Sequence, residues 1–182
     1  IYQRFEDAGL KIIAAKMVCD EPTSASVSLL SGEEPEITVV GTVNAEVKVV
    51  SEWLKRLVAN GYRPGEIAIF ARKKDILKDR AHRAVKAANL ESFNLESDDA
   101  PPSNRVAIGT MHRCKGLQFR AVAVIGVEDG TVPLDTVRVR QPDEAAQRAF
   151  IEMERNLLYV ACSRARERLL VTGVGKKSEF VK

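Results

Sequence analysis

An arginine is set among small residues in the segment RNLLYVACSRARERLL, which runs from Arg155 to Leu170. Arg164 occupies a Ser-Arg-Ala turn between a long apolar helical stretch and a strand-like stretch. A guanidinium is planar and permanently charged, so one held at the edge of an element can meet the charge that develops on a γ-phosphate during its transfer. The alternative is an amphipathic helix whose solvated face carries Arg155, Arg164, Arg166 and Arg168. The segment by itself supports both interpretations equally.

A second polar segment, TMHRCKGLQF, lies upstream from Thr110 to Phe119. It follows the strand-like run 105–109 and precedes the apolar run 121–127, so a cationic loop is predicted between two buried strands. Hydroxyl, imidazole and cationic donors are supplied there by Thr110, His112, Arg113 and Lys115. Gly116 would let a backbone approach a ligand closely. Such a loop suits phosphate groups, and its combination with the Ser-Arg-Ala turn is more specific than either motif alone.

These motifs resemble those of the second RecA-like motor domain of UvrD/Rep-like superfamily 1 DNA helicases. TMHRCKGLQF resembles motif V of that family, VIGVEDGTVP (124–133) resembles the segment just after it, and EMERNLLYVACSRARERLLV (152–171) resembles motif VI. The resemblance runs from Glu36 to Val174. It implies a three-layer RecA-like (P-loop NTPase-like) α/β domain, with a mostly parallel central sheet and helices on both faces.

The apolar pattern predicts the same class of fold. Strands are predicted at 36–42, 66–71, 105–109, 121–127 and 168–172, and helices at 45–60, 72–86 and 143–161. Strands that alternate with helices give right-handed crossovers and a sheet covered on both faces. Ligands of such sheets gather at the carboxyl ends of the strands, and the motif V loop leaves one such end.

The resemblance also implies roles for individual residues. Arg164 is the expected catalytic residue, an arginine finger on the γ-phosphate of ATP. The residues expected at the nucleotide are Gly116, Gln118, Lys115 and Arg164. The residues expected on phosphates of single-stranded DNA are Thr110, His112 and Arg113. Gln118 stands where the family usually has Glu, so a hydrogen bond to the nucleotide can survive while a charge contribution is lost.

Other parts of an ATP site are absent from this sequence. No G-x-x-x-x-G-K-[ST] string occurs, and no predicted strand ends in the Asp-Glu pair that would hold Mg²⁺. The closest string, GVGKKS at 173–178, is interpreted as a basic tail, and the family's Asn-Tyr-Arg-Ser motif IV is also absent. ATP with Mg²⁺ is therefore expected to be held mainly by an N-terminal RecA-like domain of the same protein.

Three parts are distinguished along the chain. Residues 1–20 weakly resemble the start of nucleoside diphosphate kinases, 21–35 are interpreted as a linker, and 36–182 as the helicase-like domain. The connection 89–104, NLESFNLESDDAPPSN, is predicted to be a loop, too short for the large helical insertion that many UvrD-like helicases carry there. The stretch 72–86 holds seven basic and two acidic residues, and its basic face either tracks a phosphate backbone or is simply solvated.

Composition sets wider limits. The 182 residues carry a formal net charge of +3, too weak to indicate nucleic-acid binding by itself. Three cysteines and two histidines at irregular spacing form neither a disulfide scaffold nor a familiar metal site, so no protein-ligated metal is expected. No run of 18 apolar residues and no signal-peptide pattern occurs, so a cytoplasmic monomer without membrane contact is expected.

Two functions from different classes follow. In the first, the chain is the C-terminal motor domain of an ATP-dependent DNA helicase or translocase. It supplies the arginine finger and contacts to single-stranded DNA, the N-terminal domain supplies the phosphate-binding loop and the Mg²⁺ ligands, and this chain alone is inactive. In the second, the chain is a degenerate RecA-like module that only binds nucleic acid or protein.

Overall fold

The computed structural model describes residues 34–95 and 102–181, which build one sheet of six strands. The strands are β1 (Glu36–Val40), β2 (Ile67–Ala71), β3 (Glu91–Asn94), β4 (Arg105–Thr110), β5 (Phe119–Ile125) and β6 (Ala165–Val174). Their order across the sheet is β1-β6-β5-β2-β4-β3, and every neighbouring pair is parallel. All five residues of β2 are buried, as expected for a strand covered on both faces.

Helices fill the connections between the strands. They are α1 (Val43–Ala59), α2 (a continuous run of Lys74–Ile76, a π-helical turn Leu77–Ala81, and His82–Ala87), α3 (Asp135–Arg138) and α4 (Glu144–Cys162). The start of α1 is fixed by Thr42, whose side chain accepts a hydrogen bond from the backbone N–H of Ala45 at 3.2 Å. Just past its end, Gly61 has a φ of 84°, a conformation that glycine adopts at little cost.

The sheet separates two apolar cores. On one face, Ile67 and Ile69 of β2 share a cluster with Trp53 of α1 and Ala81 of α2. On the other face, Ala68 and Phe70 share a cluster with Leu158 of α4 and with the short 3₁₀ turn Met111–Cys114. Successive side chains of a strand point to opposite faces, so β2 contributes to both cores. The predicted three-layer α/β fold with a parallel sheet is confirmed.

The prediction of a loop throughout 89–104 is wrong, because Glu91–Asn94 forms β3 and pairs with β4 at the edge of the sheet. Phe93 is half-buried and packs against the core on the α4 side, while Glu91 and Asn94 are exposed. A four-residue edge strand with one apolar side chain offers too little alternation to be recognised.

The interpretation of 173–178 as a basic tail is also wrong. Strand β6 continues to Val174, and the backbone N–H of Gly175 donates to the carbonyl oxygen of Val40 at 2.8 Å. Ser178 is buried, and its hydroxyl donates to the carbonyl oxygen of Val132. Phe180 is buried as well, so this segment packs onto the domain instead of leaving it.

The 1–20 segment and most of the 21–35 linker lie outside the described residues, so the proposed division of the chain stays a prediction. Among the helices of the described ranges, none is both long and apolar enough to cross a membrane.

Candidate functional site

The motif V segment, 110–119, runs from one end of the strands to the other. The side of the sheet where the strands end is called the carboxyl edge, and the side where they begin is called the amino edge. Strand β4 ends at Thr110, and β5 begins at Phe119. Because both strands run parallel to β2, the connection between them must return from the carboxyl edge to the amino edge. Buried Met111 and Cys114 hold it against α4, within the core on that face. The predicted site residues therefore fall into two groups, one at each end of this segment.

The first group lies at the amino edge, so the expectation that ligands gather at the carboxyl ends of the strands does not hold for the residues predicted at the nucleotide. A guanidinium nitrogen of Arg164, Nη1, donates to the carbonyl oxygen of Leu117 at 3.3 Å, and the N–H of Phe119 donates to the carbonyl oxygen of Arg164 at 2.9 Å. These two contacts join the motif VI turn to the end of motif V. Leu117 stands between Gly116 and Gln118 in the sequence, so three of the four residues predicted at the nucleotide meet here.

The backbone at Gly116 is accessible to a ligand. It is exposed with a φ of 82°, and an added Cβ would meet no atom within 4 Å. The side chains of Lys115 and Gln118 are exposed on either side of it. A ligand therefore has free access to the backbone at Gly116 and to an amide and an ammonium group beside it.

Arg164 lies in a turn and not on a helix. Helix α4 ends at Cys162, Ser163 is its C-cap, and β6 begins at Ala165. Arg166 and Arg168 belong to β6, so the alternative of one amphipathic helix through all four arginines is wrong. The predicted Ser-Arg-Ala turn is confirmed.

The turn holds the Arg164 guanidinium in place through further hydrogen bonds. Its Nε donates to the carbonyl oxygen of Val160 at 3.0 Å, and its Nη2 donates to the hydroxyl of Ser163 at 3.1 Å. The Ser163 hydroxyl in turn donates to the same Val160 carbonyl at 2.7 Å. The side chain is thus half-buried in a fixed orientation, which is what a phosphate sensor requires.

The second group lies at the carboxyl edge. Thr110 and Arg113 line a groove of about 560 Å³ between α2 and strands β3 and β4. Its apolar lining comes from Leu77, Leu95 and Ile108, and its other polar lining from Lys74, Lys78, His82 and Asn94. Three cationic side chains and an imidazole therefore face one groove. It brings Thr110 and Arg113 together with two lysines of the basic stretch 72–86.

His112 does not line this groove but lies beside it on the motif V turn. Partial burial lowers its pKa from the usual range, and the positive charge of Arg72 lowers it further, against a smaller opposite effect of Glu154. At neutral pH the imidazole is therefore mostly neutral. A neutral His112 can donate a hydrogen bond to a phosphate oxygen but adds no charge to the site.

Arg72 begins the basic stretch 72–86, but its side chain lies in a buried ion pair at the carboxyl end of β2. Its Nε and Nη2 donate to the carboxylate of Glu154 at 2.8 and 2.9 Å. Glu154 is fully buried and also accepts the N–H of Leu134 at 3.2 Å. This pair fixes α4 to the end of the central strand, and both of its charges act on the pKa of His112.

Arg80 is the second basic residue of this stretch that is buried in ion pairs. Its guanidinium donates to Glu46 at 2.8 Å and to both carboxylate oxygens of Glu128 at 3.0 and 2.9 Å. These hydrogen bonds raise the pKa of Arg80, so its charge is permanent. Glu46 also accepts the hydroxyl of Thr172, which ties α1 and α2 to the carboxyl ends of β5 and β6.

A signal for both buried acids is present in the sequence. Glu154 is four residues from Phe150 and from Leu158, so it lies within the apolar stripe of α4. A carboxylate in an apolar stripe must have a buried cationic partner, because burying an unpaired charge is costly. Glu46 stands in the same way four residues before Val50 of α1.

Neither a metal site nor a reactive thiol is found in the described ranges. No group of three or more His, Cys, Asp or Glu residues within 34–95 and 102–181 is arranged to hold a metal ion. Burial raises the pKa of Cys114 to about 11 and that of Cys162 to about 12. Both thiols are thus protonated at neutral pH, and nucleophilic chemistry at them is disfavoured.

Comparison with known proteins places these motifs in a family. The family model of the UvrD-like helicase C-terminal domain matches residues 79–175, more than half of the chain. YjcD of Bacillus subtilis (strain 168), named as a candidate ATP-dependent DNA helicase, is 35% identical over 131 residues, 67% of this chain and 16% of YjcD. The ATP-dependent DNA helicase Rep of Buchnera aphidicola subsp. Schizaphis graminum is 29% identical over 127 residues, 69% of this chain and 16% of Rep.

A solved structure agrees on the fold. The C-terminal domain of a possible DNA helicase from Lactobacillus plantarum WCFS1 superimposes with a TM-score of 0.66 at 20% identity, over 94% of this chain and 88% of that one. The curated relatives are much longer, since the chain spans only about one sixth of YjcD and of Rep. On the family match and the shared motifs, the chain belongs to the UvrD-like helicase C-terminal domains.

Proposed function

We propose that this domain is the second motor half of an ATP-dependent DNA helicase or translocase, with ATP bound at its amino edge and single-stranded DNA at its carboxyl edge. The observation that carries the proposal is the hydrogen bond from Arg164 Nη1 to the carbonyl oxygen of Leu117 at 3.3 Å. It fastens the candidate phosphate sensor to one end of motif V, and the other end of the same segment opens onto a cationic groove. One short segment thus touches both proposed sites.

At the amino edge, the available groups fit the terminal phosphate of ATP and no more. Arg164 offers a guanidinium, Gly116 an accessible backbone, and Gln118 an exposed amide. Arg164 would stabilise the charge that spreads over the γ-phosphate oxygens during hydrolysis. The phosphate-binding loop and the Mg²⁺ ligands would come from an N-terminal RecA-like domain of the same protein, because the sequence contains neither.

If the N-terminal domain supplies the phosphate-binding loop and the Mg²⁺ ligands, the 182-residue chain alone should hydrolyse no ATP above the buffer rate. The partner domain would position the phosphates, the metal ion and the attacking water, which carry most of the catalysis in phosphoryl transfer. The measurement is phosphate release with and without single-stranded DNA, with the Arg164→Ala chain prepared in parallel. Turnover that is DNA-stimulated, survives further purification and is lost in Arg164→Ala would contradict the prediction.

At the carboxyl edge, the groove has the charge and the shape to accept a nucleic-acid backbone. Lys74, Lys78 and Arg113 are exposed and have no ion-pair partner among residues 34–95 and 102–181. Lys74 and Lys78 are four residues apart within α2 and face the same groove. Unpaired cations along a groove attract phosphates because binding releases condensed counterions.

The same groove offers further donors that can hold a phosphate oxygen at a fixed position. Thr110 supplies a hydroxyl, and His82 supplies an imidazole whose Nδ1 lies 3.0 Å from the hydroxyl of Ser92. Such contacts carry little sequence information because phosphates are alike at every base. The proposed ligand is therefore single-stranded DNA of any sequence.

Binding of labelled oligothymidylate to the 182-residue chain tests this groove. The wild-type chain should bind weakly, with affinity that falls linearly on a double-logarithmic plot against salt. Each phosphate contact on a single strand contributes about 0.7 to the slope, so Lys74→Ala/Lys78→Ala/Arg113→Ala should lower its magnitude by about 2. Lys55→Ala, which removes an exposed lysine of α1 outside the groove, is the matched control and should leave the slope unchanged. An equal slope in wild type and triple variant would refute the proposed strand path.

A further inference from the structure

The hydrogen bonds of Arg164 leave a defined part of its guanidinium free. An arginine side chain has five N–H donors, and Nε, Nη1 and Nη2 of Arg164 each use one of them on the protein. Two N–H groups remain, one on each terminal nitrogen. That number matches a two-pronged contact with phosphate oxygens, the strongest form of arginine–phosphate recognition.

One side chain decides which N–H groups remain free. The hydroxyl of Ser163 donates to the carbonyl oxygen of Val160 at 2.7 Å, so its proton is committed. Its lone pairs then face Nη2 of Arg164, which donates to it at 3.1 Å. The other two acceptors, the carbonyl oxygens of Val160 and Leu117, belong to the backbone and cannot be replaced by another side chain.

We propose that Ser163 is a positioning residue for Arg164, which sets the rotation of the guanidinium so that its two free N–H groups point out of the turn toward a γ-phosphate. This inference rests on the proposed function of Arg164. An arginine side chain has many rotamers, and a guanidinium that samples them loses part of the rate of hydrolysis that a fixed orientation provides. The hydrogen bond to the Ser163 hydroxyl holds the guanidinium in one rotamer before ATP binds.

Another serine of the domain donates the same backbone hydrogen bond as Ser163 but accepts none from an arginine. Ser51 of α1 donates its hydroxyl to the carbonyl oxygen of Lys48 at 2.9 Å, three residues back, as Ser163 does with Val160. Among the described residues, no arginine donates to the Ser51 hydroxyl. Ser51→Ala therefore removes the same local hydrogen bond and serves as the matched control.

The experiment uses the full-length protein and compares Ser163→Ala, Arg164→Ala, the double variant and Ser51→Ala. Measurements are DNA-stimulated kcat, KM for ATP and melting temperature. Ser163→Ala should lower kcat about 10- to 100-fold with KM changed less than twofold, the cost of a misplaced catalytic group. In the Arg164→Ala background, Ser163→Ala should have no further effect, because its action passes through the guanidinium. Ser51→Ala should leave kcat unchanged.

A second pair of variants separates the hydroxyl from the shape of the side chain. Ser163→Thr keeps the hydroxyl and should retain kcat. Ser163→Val has nearly the shape of the threonine variant but no hydroxyl, and its kcat should match that of Ser163→Ala. Wild-type kcat in Ser163→Ala or Ser163→Val, or an additive loss in the double variant, would overturn the inference while the role of Arg164 stands. Unchanged kcat in Arg164→Ala would instead remove the proposed function, and this inference with it.

Discussion

Arg164→Ala in the full-length protein is expected to lower kcat for ATP hydrolysis about 10³-fold or more and to leave ATP affinity nearly unchanged. The nucleotide would be held by the N-terminal domain, so the loss falls on the transition state and not on binding. Arg164→Lys should restore little, because an ammonium on a flexible stem cannot form the planar contacts that Arg164 makes with Val160 and Leu117. Single-turnover hydrolysis and equilibrium nucleotide binding on the same preparations measure the two quantities.

The control for this prediction stands two residues away. Arg166 is exposed in β6, and Arg166→Ala should change kcat less than twofold, which excludes a general effect of charge near the turn. An arginine with a structural role would behave differently, since its loss would lower the melting temperature and leave turnover intact. A heat-labile Arg164→Ala enzyme of normal rate would end the arginine-finger assignment and favour a module that binds without hydrolysis.

The largest expected effect on stability belongs to Glu154. Glu154→Ala should lower the free energy of unfolding by about 3–5 kcal/mol, the usual cost of breaking a buried ion pair on one side. The Arg72 side chain, 14% exposed, would be left with an uncompensated charge, and the N–H of Leu134 would lose an acceptor. Urea denaturation of the 182-residue chain measures this free energy. The slope of the unfolding free energy against urea concentration should be the same for wild type and variant.

Two further variants show that the effect comes from burial. Glu144 forms an exposed pair with Arg148 at 3.5 Å, with side chains 89% and 74% exposed, so Glu144→Ala should cost no more than about 0.5 kcal/mol. Replacing both buried partners, as Arg72→Met with Glu154→Leu, should recover most of the loss, because no charge is then left unpaired. If Glu154→Ala cost as little as Glu144→Ala, the buried pair would not hold α4 in place.

Much of this fold is readable from the sequence because its signals are local. The apolar stripe of α1, the turn glycine Gly61 and the buried run of β2 each lie within a few residues, and the corresponding elements are found in the structure. Strand β3 is not predicted from the sequence, because its stability comes from pairing with β4 and not from its own four residues. The predicted bounds of the strands are less accurate. The first strand is predicted at 36–42 and found at Glu36–Val40, and the last is predicted at 168–172 and found at Ala165–Val174.

The candidate site divides in the same way. The turn at Arg164 is predictable, since a Ser-Arg-Ala string after an apolar stripe is a local pattern. The contact of Arg164 with Leu117 is not, because it depends on β5 and β6 being neighbours in the sheet. The sequence cannot divide the basic residues of 72–86 for the same reason. Arg72 and Arg80 resemble Lys74 and Lys78 in sequence, and only their distant acidic partners show that they are buried.

The pairing of the first described strand with the last has a consequence for synthesis on the ribosome. Within the described ranges β1 pairs only with β6, and 124 residues separate Val40 from Ala165 (165 − 40 − 1). At about 5–20 residues per second, β1 waits roughly 6–25 s for its neighbour to be made. Motif VI ends in that neighbour, so a nascent or truncated chain that stops before Ala165 lacks the docking place of β1 as well as the end of motif VI. The sheet can be completed only after Arg164, which directly precedes β6, has been synthesised.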